Sequence, residues 1–293
     1  MKVFRHLGSV ASFVWNHPAN RGRRGRALAR AAGWQLYKRA TGRTLDVGVY
    51  DGYKLRCYRD STSASGVIYA AGYPDWIEMS FLRHYLRPGD GFVDVGANIG
   101  VYTILAASRV GPTGRVASFE PGPETLRRLR GNVELNGLKN VEVHPVAVSD
   151  RAGTVSFDLA GGTTGHLARG KGAASAVEME TVRLDDVLRG GGWAAGKMDI
   201  EGAEPLALRG AERLLGEMSP PVWLLEVNGL LRRYGFTEAE LWGWLAERGW
   251  DVCLYDLEQR VLRDCPRPSS EYHNVFAIAR GAREEVAARL RGP

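Results

Sequence analysis

The chain has 293 residues, of which 44% are hydrophobic and 25% are charged. These values are ordinary for a soluble globular protein, and the length allows one large core with extensions. The three cysteines have no C-x-x-C spacing, so neither a disulfide framework nor a zinc site is indicated. Such cysteine usage favours a protein of the reducing cytoplasm.

Positive charge is concentrated at the N-terminus. Ten of the 39 Lys and Arg residues, and no acid, fall within residues 1–43, which leaves 29 basic residues against all 33 acids in the rest. We interpret residues 1–43 as a basic amphipathic extension, with a flexible link at the arginine-rich stretch 21–26. A basic arm can bind nucleic acid or an anionic membrane, but a solvated basic segment beside a slightly acidic domain is the favoured interpretation.

Residues 1–17 place four apolar residues at helical spacing, namely Val3, Leu7, Val10 and Val14. The pattern predicts an amphipathic helix, and residues 1–30 are the predicted contact with a membrane surface or a partner protein. The apolar run is too short to cross a membrane, and no small-residue cleavage site indicates a signal peptide. We expect a cytoplasmic protein, with a peripheral membrane contact and a homo-oligomer left open.

Residues 44–77 are predicted to form a β-hairpin and a lid. Apolar and polar residues alternate on both sides of Asp51 and Gly52, a turn pair typical of a hairpin. Asp75, followed three residues later by Glu78, predicts a capping box at the start of a helix. The region would stand over the mouth of the ligand site of the next domain.

The third predicted domain, residues 78–293, is organised around FVDVGANIG at 92–100. An apolar run ends in two glycines and an asparagine, which predicts a buried strand that turns sharply into a helix. Gly96 and Gly100 let a ligand approach the backbone, and the N–H groups that open the helix suit an anion. Asp94, just before the turn, is placed to meet a cation or a hydroxyl.

Glu120 ends the next apolar strand, 20 residues after Gly100. An acid at this position typically accepts hydrogen bonds from ribose hydroxyls. The dinucleotide motif G-x-G-x-x-G would need three glycines where this chain has Gly96, Asn98 and Val101. A turn with so few glycines suits a ligand without a pyrophosphate, and we predict an S-adenosylmethionine site.

Further strands follow. Residues 141–148 predict a third strand, in which Pro145 indicates an edge position or a bulge. Residues 154–159 and 177–184 predict paired strands, and the glycine-rich stretch 161–172 between them predicts a mobile loop.

A second acidic cluster lies at KMDIEGAE, residues 197–204. It places Asp199, Glu201 and Glu204 within six residues at the end of a short strand. Because ligands of open α/β sheets bind at the carboxyl ends of strands, the cluster is expected to face the Asp94 turn. An acid after a strand often caps the next helix, and we assign Glu204 mainly to that role.

The predicted sheet is completed near the C-terminus. Residues 222–227 predict a buried strand tipped by Glu226, and Thr237 with Glu240 predicts a capped helix. The last two strands are predicted at residues 250–257 and 274–279.

The two long motifs, FVDVGANIG and KMDIEGAEPLALRGAERLL, resemble in that order the FkbM-like family of S-adenosylmethionine-dependent methyltransferases. The resemblance covers about residues 78–280 and includes AVSD at 147–150 and NVF at 274–276. It implies an α/β, Rossmann-like class I methyltransferase fold: a mostly parallel seven-stranded sheet with an antiparallel last strand and helices on both faces. It also implies O-methylation of a hydroxyl on a sugar, a glycan or a secondary metabolite.

The resemblance also implies the site residues. The cofactor-binding residues of the first motif are Asp94, Gly96, Asn98, Gly100 and Thr103. The ribose is assigned to Glu120, and the adenine to Val148, Ser149 and Asp150. Asp199 is placed at both the cofactor and the substrate, and Asp199 and Glu201 are the predicted catalytic residues.

An alcohol is a weak nucleophile, so its methylation needs a general base or a metal besides alignment. Asp199 is the predicted base. The reserve candidates are Glu201, Glu226, His144, His166 and His273. No metal is predicted firmly, since no histidine has metal-ligand spacing. If Mg²⁺ binds, its predicted ligands are Asp199, Glu201 and Glu226.

Alternatives of other classes remain open. One is a non-enzymatic S-adenosylmethionine-binding scaffold, and another is an RNA methyltransferase that uses the basic arm. The slightly acidic body opposes phosphate binding, so no nucleic-acid partner is expected and a small-molecule or saccharide hydroxyl is the predicted acceptor. Amino-group methyltransferases often carry Asp/Asn-Pro-Pro-aromatic after the fourth strand, whereas here Asp199 precedes Ile200 and Glu201.

Overall fold

A computed structural model of the protein describes residues 2–158, 166–167, 176–269 and 271–292. The helices are α1 Lys2–Asn16, α2 Arg24–Thr41, α3 Thr62–Tyr69, α4 Trp76–Tyr85, α5 Val101–Val110, α6 Pro123–Leu135, α7 Leu184–Val187, α8 Glu204–Arg209, α9 Glu212–Gly216, α10 Glu238–Glu247 and α11 Arg283–Arg291. The strands are β1 Leu45–Gly48, β2 Lys54–Cys57, β3 Gly91–Val95, β4 Arg115–Phe119, β5 Val141–His144, β6 Ala147–Val148, β7 Gly153–Asp158, β8 His166–Leu167, β9 Ala176–Val182, β10 Trp193–Met198, β11 Val222–Glu226, β12 Trp250–Asp256, β13 Val261–Asp264 and β14 Asn274–Ala279.

The central sheet has the strand order β13-β12-β14-β11-β10-β3-β4-β5 within the described residues. Strands β5, β4, β3, β10 and β11 pair in parallel, whereas β14 runs antiparallel to both β11 and β12. This arrangement confirms the predicted class I fold with its antiparallel last strand. Strand β13 was not predicted; it pairs antiparallel with β12 and extends the sheet by one strand at its edge.

Both faces of the central sheet are packed. Phe92 on β3 lies in one core cluster with Ile104 of α5. The adjacent Val93 lies in a second cluster with Leu208 of α8 and Leu245 of α10. Because successive residues of a strand point to opposite faces, the sheet carries a hydrophobic core on each side, as a buried parallel sheet requires.

The register of the parallel strands brings the two sequence motifs together. Val95, the last residue of β3, is paired with Met198 at the end of β10 and with Phe119 at the end of β4. The turns that follow these three strands therefore start side by side at one edge of the sheet. This confirms that the second acidic cluster faces the first turn.

Two smaller sheets accompany the central one. β1 and β2 form the predicted hairpin, and β6, β9, β7 and β8 form a four-stranded sheet. Pro145 separates β5, the edge strand of the central sheet, from β6, which pairs with β9 instead. β7 and β9 are antiparallel partners, as predicted. The predicted mobile loop at 161–172 lies outside the described residues, except for 166–167 in β8.

The N-terminal helices pack against the rest of the chain. Val14 of α1 and Ala27, Ala31 and Trp34 of α2 are buried in the core cluster on one face of the central sheet. Helix α2 was not predicted, and it begins at Arg24, inside the expected flexible link. The buried residues of α2 recur at helical spacing, an apolar stripe that the dense arginines obscured. No helix of the described residues is both long and apolar enough to cross a bilayer.

Of the two predicted capping boxes, one is wrong and one is confirmed. Asp75 makes no capping bond at α4; its Oδ2 accepts a hydrogen bond from the Tyr102 hydroxyl at 2.9 Å instead. At α10 the Thr237 side chain accepts from the Glu240 N–H at 3.2 Å, and Glu240 Oε2 accepts from the Thr237 N–H at 2.8 Å. Asp75 therefore bonds to Tyr102 of α5 and not to the backbone N–H groups at the start of α4.

Candidate active site

A cavity of about 400 Å³ opens at the carboxyl ends of β3, β4 and β10. The turns after those strands form part of its lining, together with Val148 at the end of β6. The N-terminal region forms another part, to which α1 contributes Phe13 and α3 contributes Thr62 and Ser63. The volume is at the lower end of the range of about 300–1,000 Å³ for small-molecule sites.

Asp94, at the end of β3, is fully buried and lines this cavity. Its Oδ2 accepts a hydrogen bond from Thr103 Oγ1 at 2.6 Å. Its Oδ1 has no hydrogen-bond partner among the described residues. Burial raises the pKa of Asp94, although the charge of Lys197 and the bond from Thr103 oppose the rise. Oδ1 of Asp94 is therefore free to accept a hydrogen bond from a ligand, while the bond from Thr103 to Oδ2 holds the carboxylate in position.

The first turn depends on a glycine that packs against the second motif. Gly96 has φ +80°, and a Cβ atom added there would lie 2.0 Å from the carbonyl oxygen of Asp199. Asn98 also adopts a left-handed conformation, with φ 52°. Gly100 faces elsewhere, since a Cβ atom on it would meet Leu129 of α6 at 2.8 Å. The turn therefore brings Gly96 and Asn98 to the cavity and directs Gly100 to helix packing.

Glu120, after β4, is almost fully buried beside this turn. Its Oε2 accepts from the Asn98 N–H at 2.8 Å, and its Oε1 accepts from the Gly122 N–H at 2.9 Å and from Thr125 Oγ1 at 2.7 Å. Burial raises the pKa of Glu120, against these three bonds. A carboxylate has about four acceptor positions, so one stays available for a ligand hydroxyl.

Asp199, after β10, is held in a charged network at the cavity wall. Its side chain is 38% exposed, and its Oδ2 lies 2.8 Å from Nζ of Lys197, which is 6% exposed. Burial alone would lower the pKa of Lys197, but the carboxylates of Asp199 and Asp94 raise it to about 12. Lys197 is thus a fixed, buried cation between two acids.

Glu226 lies at the end of β11, and its Oε2 is buried without a hydrogen-bond partner among the described residues. Burial, followed by the negative charge of Asp199, raises the pKa of Glu226 to about 10, which favours the protonated form of this carboxyl group. Burial also acts to raise the pKa of Asp199, but the charge of the Lys197 ammonium and its hydrogen bond to Asp199 Oδ2 lower it. Asp199 is therefore the ionised member of the pair.

Two further residues of the cavity, Asp75 and Tyr102, were not predicted as site residues. Asp75 lines the cavity, and burial raises its pKa, against the hydrogen bond from Tyr102. Tyr102 also lines the cavity, and Lys197 Nζ lies 4.8 Å from the centre of its ring. Lys197, near the end of β10, also lines the cavity and was not predicted as a site residue.

Glu201 and Glu204 have different surroundings. Glu201 lines the cavity with φ 57°, and burial followed by the charge of Asp199 raises its pKa. Glu204 is fully buried; its Oε1 accepts from the N–H groups of Ile200 at 2.9 Å and Gly202 at 3.3 Å. Burial raises the pKa of Glu204 to about 7. Glu204 therefore orders the turn before α8, close to the capping role assigned to it.

The raised pKa of Glu204 predicts a pH-dependent stability. The group titrates at 4.5 without the fold and at about 7 within it, so the native state binds more protons between these values. The free energy of unfolding should then fall by up to about 3 kcal/mol as the pH rises from 4.5 to 7. Glu204→Gln keeps an acceptor oxygen but does not titrate, so it should remove this loss.

Urea unfolding of wild type and of Glu204→Gln at pH 5 and pH 8 measures the effect. From pH 5 to pH 8, we expect the free energy of unfolding of wild type to fall relative to that of Glu204→Gln. Glu217→Gln, at an exposed position just after α9, is the control and should show no such change. A difference between wild type and Glu204→Gln that is the same at both pH values would contradict the assignment.

Several predicted residues lie away from the cavity. Val148 lines it, but Ser149 and Asp150 do not; the Ser149 N–H bonds to the Val182 carbonyl at 2.9 Å and Ser149 Oγ to Asp150 Oδ1 at 3.1 Å. Because β6 leaves the central sheet after Pro145, the chain turns away from the cavity after Val148.

The reserve histidines also lie elsewhere. His144 stacks on Phe119 with 4.5 Å between ring centres and lines a separate cavity. His273 is exposed and lines a third cavity. The side chain of His166 lies outside the described part of the chain. Neither His144 nor His273 lines the active-site cavity, so neither is placed to act as the base.

The conditional magnesium site does not form. Among the residues that the structure describes, no three His, Cys, Asp or Glu side chains are grouped so that they could hold a metal ion. Of the three conditional ligands, Asp199 is paired with Lys197, and the pKa of Glu226 is raised to about 10, which disfavours the charged form that would bind a cation.

Comparison with known proteins identifies the family of the chain. Residues 94–252, more than half of the chain, match the Methyltransferase FkbM domain. The chain is 32% identical to the 31-O-demethyl-FK506 methyltransferase FkbM of Streptomyces tacrolimicus, in a match covering 54% of this chain and 77% of that protein. It is also 32% identical to protein-L-isoaspartate O-methyltransferase 2 of Archaeoglobus fulgidus, over 32% of this chain and 43% of the relative.

Among solved structures, the crystal structure of methyltransferase FkbM from Methylobacillus flagellatus is similar, with a TM-score of 0.41 and 17% identity. The match covers 87% of this chain and 60% of that one, so the chain spans less than two thirds of that structure. The sequence match to the domain contains both strand-end motifs of the cavity, from Asp94 to Glu204. The chain therefore belongs to the FkbM family of S-adenosylmethionine-dependent methyltransferases.

Proposed function

We propose that the protein transfers the methyl group of S-adenosylmethionine to a hydroxyl oxygen of a sugar, a glycan or a secondary metabolite, with carboxylate assistance. The observation that carries the proposal is the ionised, partly exposed Asp199 at the wall of a cavity that also holds the first turn and Glu120. The names of two relatives, a 31-O-demethyl-FK506 methyltransferase and an isoaspartate O-methyltransferase, support oxygen as the acceptor atom.

The cavity residues fit the cofactor. The unpartnered Oδ1 of Asp94 suits the ammonium group of the methionine end, and the remaining acceptor position of Glu120 suits a ribose hydroxyl. Val148 offers an apolar contact for the adenine. When bound, S-adenosylmethionine supplies a methyl group on a sulfonium sulfur and is converted to S-adenosylhomocysteine.

The acceptor is handled by the side chains around Asp199. The Asp199 carboxylate accepts the proton of the acceptor hydroxyl as the oxygen bonds to the methyl carbon and the carbon–sulfur bond breaks. Lys197 holds the carboxylate in place and keeps it ionised. Alignment of the two reactants in such a site can supply about 7–11 kcal/mol, and a general base a further factor of about 10²–10⁴.

The surroundings support proposals for location and partners. Cys57, Cys253 and Cys265 are free and buried, which suits a reducing cytoplasm. Trp15 of α1 is 48% exposed beside a basic segment, which suits a peripheral contact of residues 1–30 with a membrane surface or a partner protein. We add no nucleic-acid partner, because the body carries more acids than bases, and a homo-oligomer is left to solution measurement.

The ribose assignment predicts the effect of Glu120→Gln. The substitution removes the charge but retains the size and one acceptor oxygen of the side chain. A hydrogen bond to a charged group contributes about 1.5–3 kcal/mol, so affinity for S-adenosylhomocysteine should fall about tenfold or more. Calorimetric titration measures it, with Glu124→Gln, on the exposed start of α6, as the control. Unchanged affinity in Glu120→Gln would remove Glu120 from the cofactor site.

The function itself is tested in two steps. Calorimetry with S-adenosylmethionine and S-adenosylhomocysteine tests cofactor binding, and transfer of a labelled methyl group to saccharides, polyketides and RNA tests the acceptor class. We expect both cofactor forms to bind and label to appear on a hydroxyl compound. Binding without transfer to any acceptor supports the scaffold, and label on RNA supports the nucleic-acid alternative. Absence of binding overturns the proposal.

A further inference from the structure

A second cavity, of about 440 Å³, adjoins the active-site cavity. The two share three lining residues, Phe13, Thr62 and Gly66, so they meet along one side of α3. The first cavity must accommodate the cofactor and the reacting hydroxyl together. The second cavity is therefore adjacent to the first, on the other side of Phe13, where the rest of a large acceptor could lie.

Phe13 is fixed where the two cavities meet. Its side chain is 42% exposed, yet its ring lies 5.0 Å from the ring of His17 and 6.5 Å from the ring of Tyr69. Asn20 ties the same region down, because its Nδ2 donates to the Val14 and Tyr69 carbonyls at 2.9 and 2.8 Å. The exposed ring is therefore an ordered apolar surface for a ligand, held by the packing of α1 on α3.

The second cavity carries two cations without carboxylate partners. Lys38 of α2 and Arg59, after β2, both line it. In the described part of the chain, neither forms an ion pair; Asp60, which also lines the cavity, is paired with Arg128 at 2.7 Å. Lys38 Nζ lies 5.9 Å from the ring centre of Trp34, which positions the ammonium without neutralising it. The cavity thus has a positive charge although the body outside residues 1–43 is slightly acidic.

We propose that the second cavity is an anion subsite of the acceptor site, in which Lys38 and Arg59 bind a phosphate or carboxylate group of the acceptor. The inference rests on the proposed methyl transfer and narrows its substrate class to hydroxyl compounds that carry an anionic group, such as sugar phosphates and uronic acids. The anion lies at the Lys38 and Arg59 end, the body of the acceptor lies across Phe13, and the reacting hydroxyl reaches Asp199. Thr62 and Ser63, which line the first cavity, supply hydroxyls along this path.

The subsite is tested by titrating the protein, saturated with S-adenosylhomocysteine, with inorganic pyrophosphate at low ionic strength, where charge interactions are least screened. We expect the double variant Lys38→Gln with Arg59→Gln to bind pyrophosphate at least about tenfold more weakly than wild type, because two charge-assisted contacts are lost. Arg26→Gln, an exposed arginine of α2 that lines neither cavity, is the matched control and should bind like wild type. Undetectable binding to wild type, or equal binding by the double variant, overturns the proposal.

A second series distinguishes the source of the anion. Glucose 1-phosphate and glucuronate are compared with glucose as competitors of pyrophosphate. Competition by either anionic sugar but not by glucose supports an acceptor anion and shows its chemistry. Pyrophosphate binding that neither anionic sugar displaces marks a site for free phosphate and overturns the acceptor role.

The cofactor titration separates the two possible failures. If S-adenosylhomocysteine binds wild type and the double variant equally while the anion result is negative, the subsite is wrong and the methyl transfer stands. If S-adenosylhomocysteine binds neither, the proposed function itself fails. Equal melting temperatures of wild type and the double variant show that a loss of pyrophosphate binding is not a loss of fold.

Discussion

Replacing Asp199 by asparagine is expected to lower the turnover number by about 10²–10⁴-fold, the range typical of a lost general base. Asparagine keeps the size of the side chain and an oxygen that can accept from Lys197 Nζ, 2.8 Å away in the wild type. It cannot accept the acceptor's proton. Because the proposed cofactor contacts are the first turn and Glu120, affinity for S-adenosylhomocysteine should stay within about threefold of wild type, a change of less than 1 kcal/mol.

The measurement is single-turnover transfer of a labelled methyl group together with calorimetry of S-adenosylhomocysteine. Asp186→Asn, an exposed acid of α7, is the control and should retain wild-type rates. Glu201→Gln tests whether Glu201, the other predicted catalytic carboxylate that lines the cavity, acts as the base. Wild-type turnover in Asp199→Asn would exclude Asp199 as the base, and a larger loss in Glu201→Gln would transfer that role to Glu201.

Replacing Lys197 by methionine is expected to destabilise the fold by about 3–5 kcal/mol, the usual cost of leaving buried acids without their cation. Methionine preserves most of the side-chain volume next to the Tyr102 ring, so the loss comes from charge. Asp94 and Asp199 both depend on Lys197 to counter the effect of burial on their pKa values. Without it, both pKa values should rise.

This second prediction has a signature beyond stability. With a raised pKa, Asp199 is protonated at the lower end of the neutral range, so the acid limb of the pH–rate profile should move to higher pH in Lys197→Met. Urea unfolding and pH–rate profiles measure the two effects. Lys197→Arg keeps the charge and should restore the profile more than the stability. A Lys197→Met protein with the wild-type profile would show that Lys197 does not control Asp199.

The strand-end residues were predictable because their signals are local. A buried apolar run followed by a glycine turn identified β3 and its helix, and an acid at the next strand end identified Glu120. Since the carboxyl ends of parallel strands meet at one edge, Asp94, Gly96 and Asp199 could be placed together before any contact was known. The structure brings Asp94, Gly96 and Asp199, together with Glu120, to one cavity.

Other cavity residues depend on packing between distant segments. Phe13 reaches the cavity only because α1 packs with α2 and α3, and α2 itself was hidden by its arginines. Asp75 matched a local capping pattern, but the hydroxyl of Tyr102 is its partner in the fold. Lys197 lies only two residues before Asp199 in the sequence, but only the acids of this stretch were considered, so Lys197 was missed. Contacts between segments that are far apart in the sequence cannot be predicted from residue spacing.

The contact between Gly96 and the backbone of Asp199 has a consequence for the order of events in catalysis. There is no room for even a methyl group between them, so a displacement of either turn is transmitted to the other. Under the proposed function, a donor bound to the first turn would therefore also affect the position of Asp199, the proposed base. If the proposed roles hold, we expect initial-rate and product-inhibition kinetics to show ordered binding, with the donor before the acceptor.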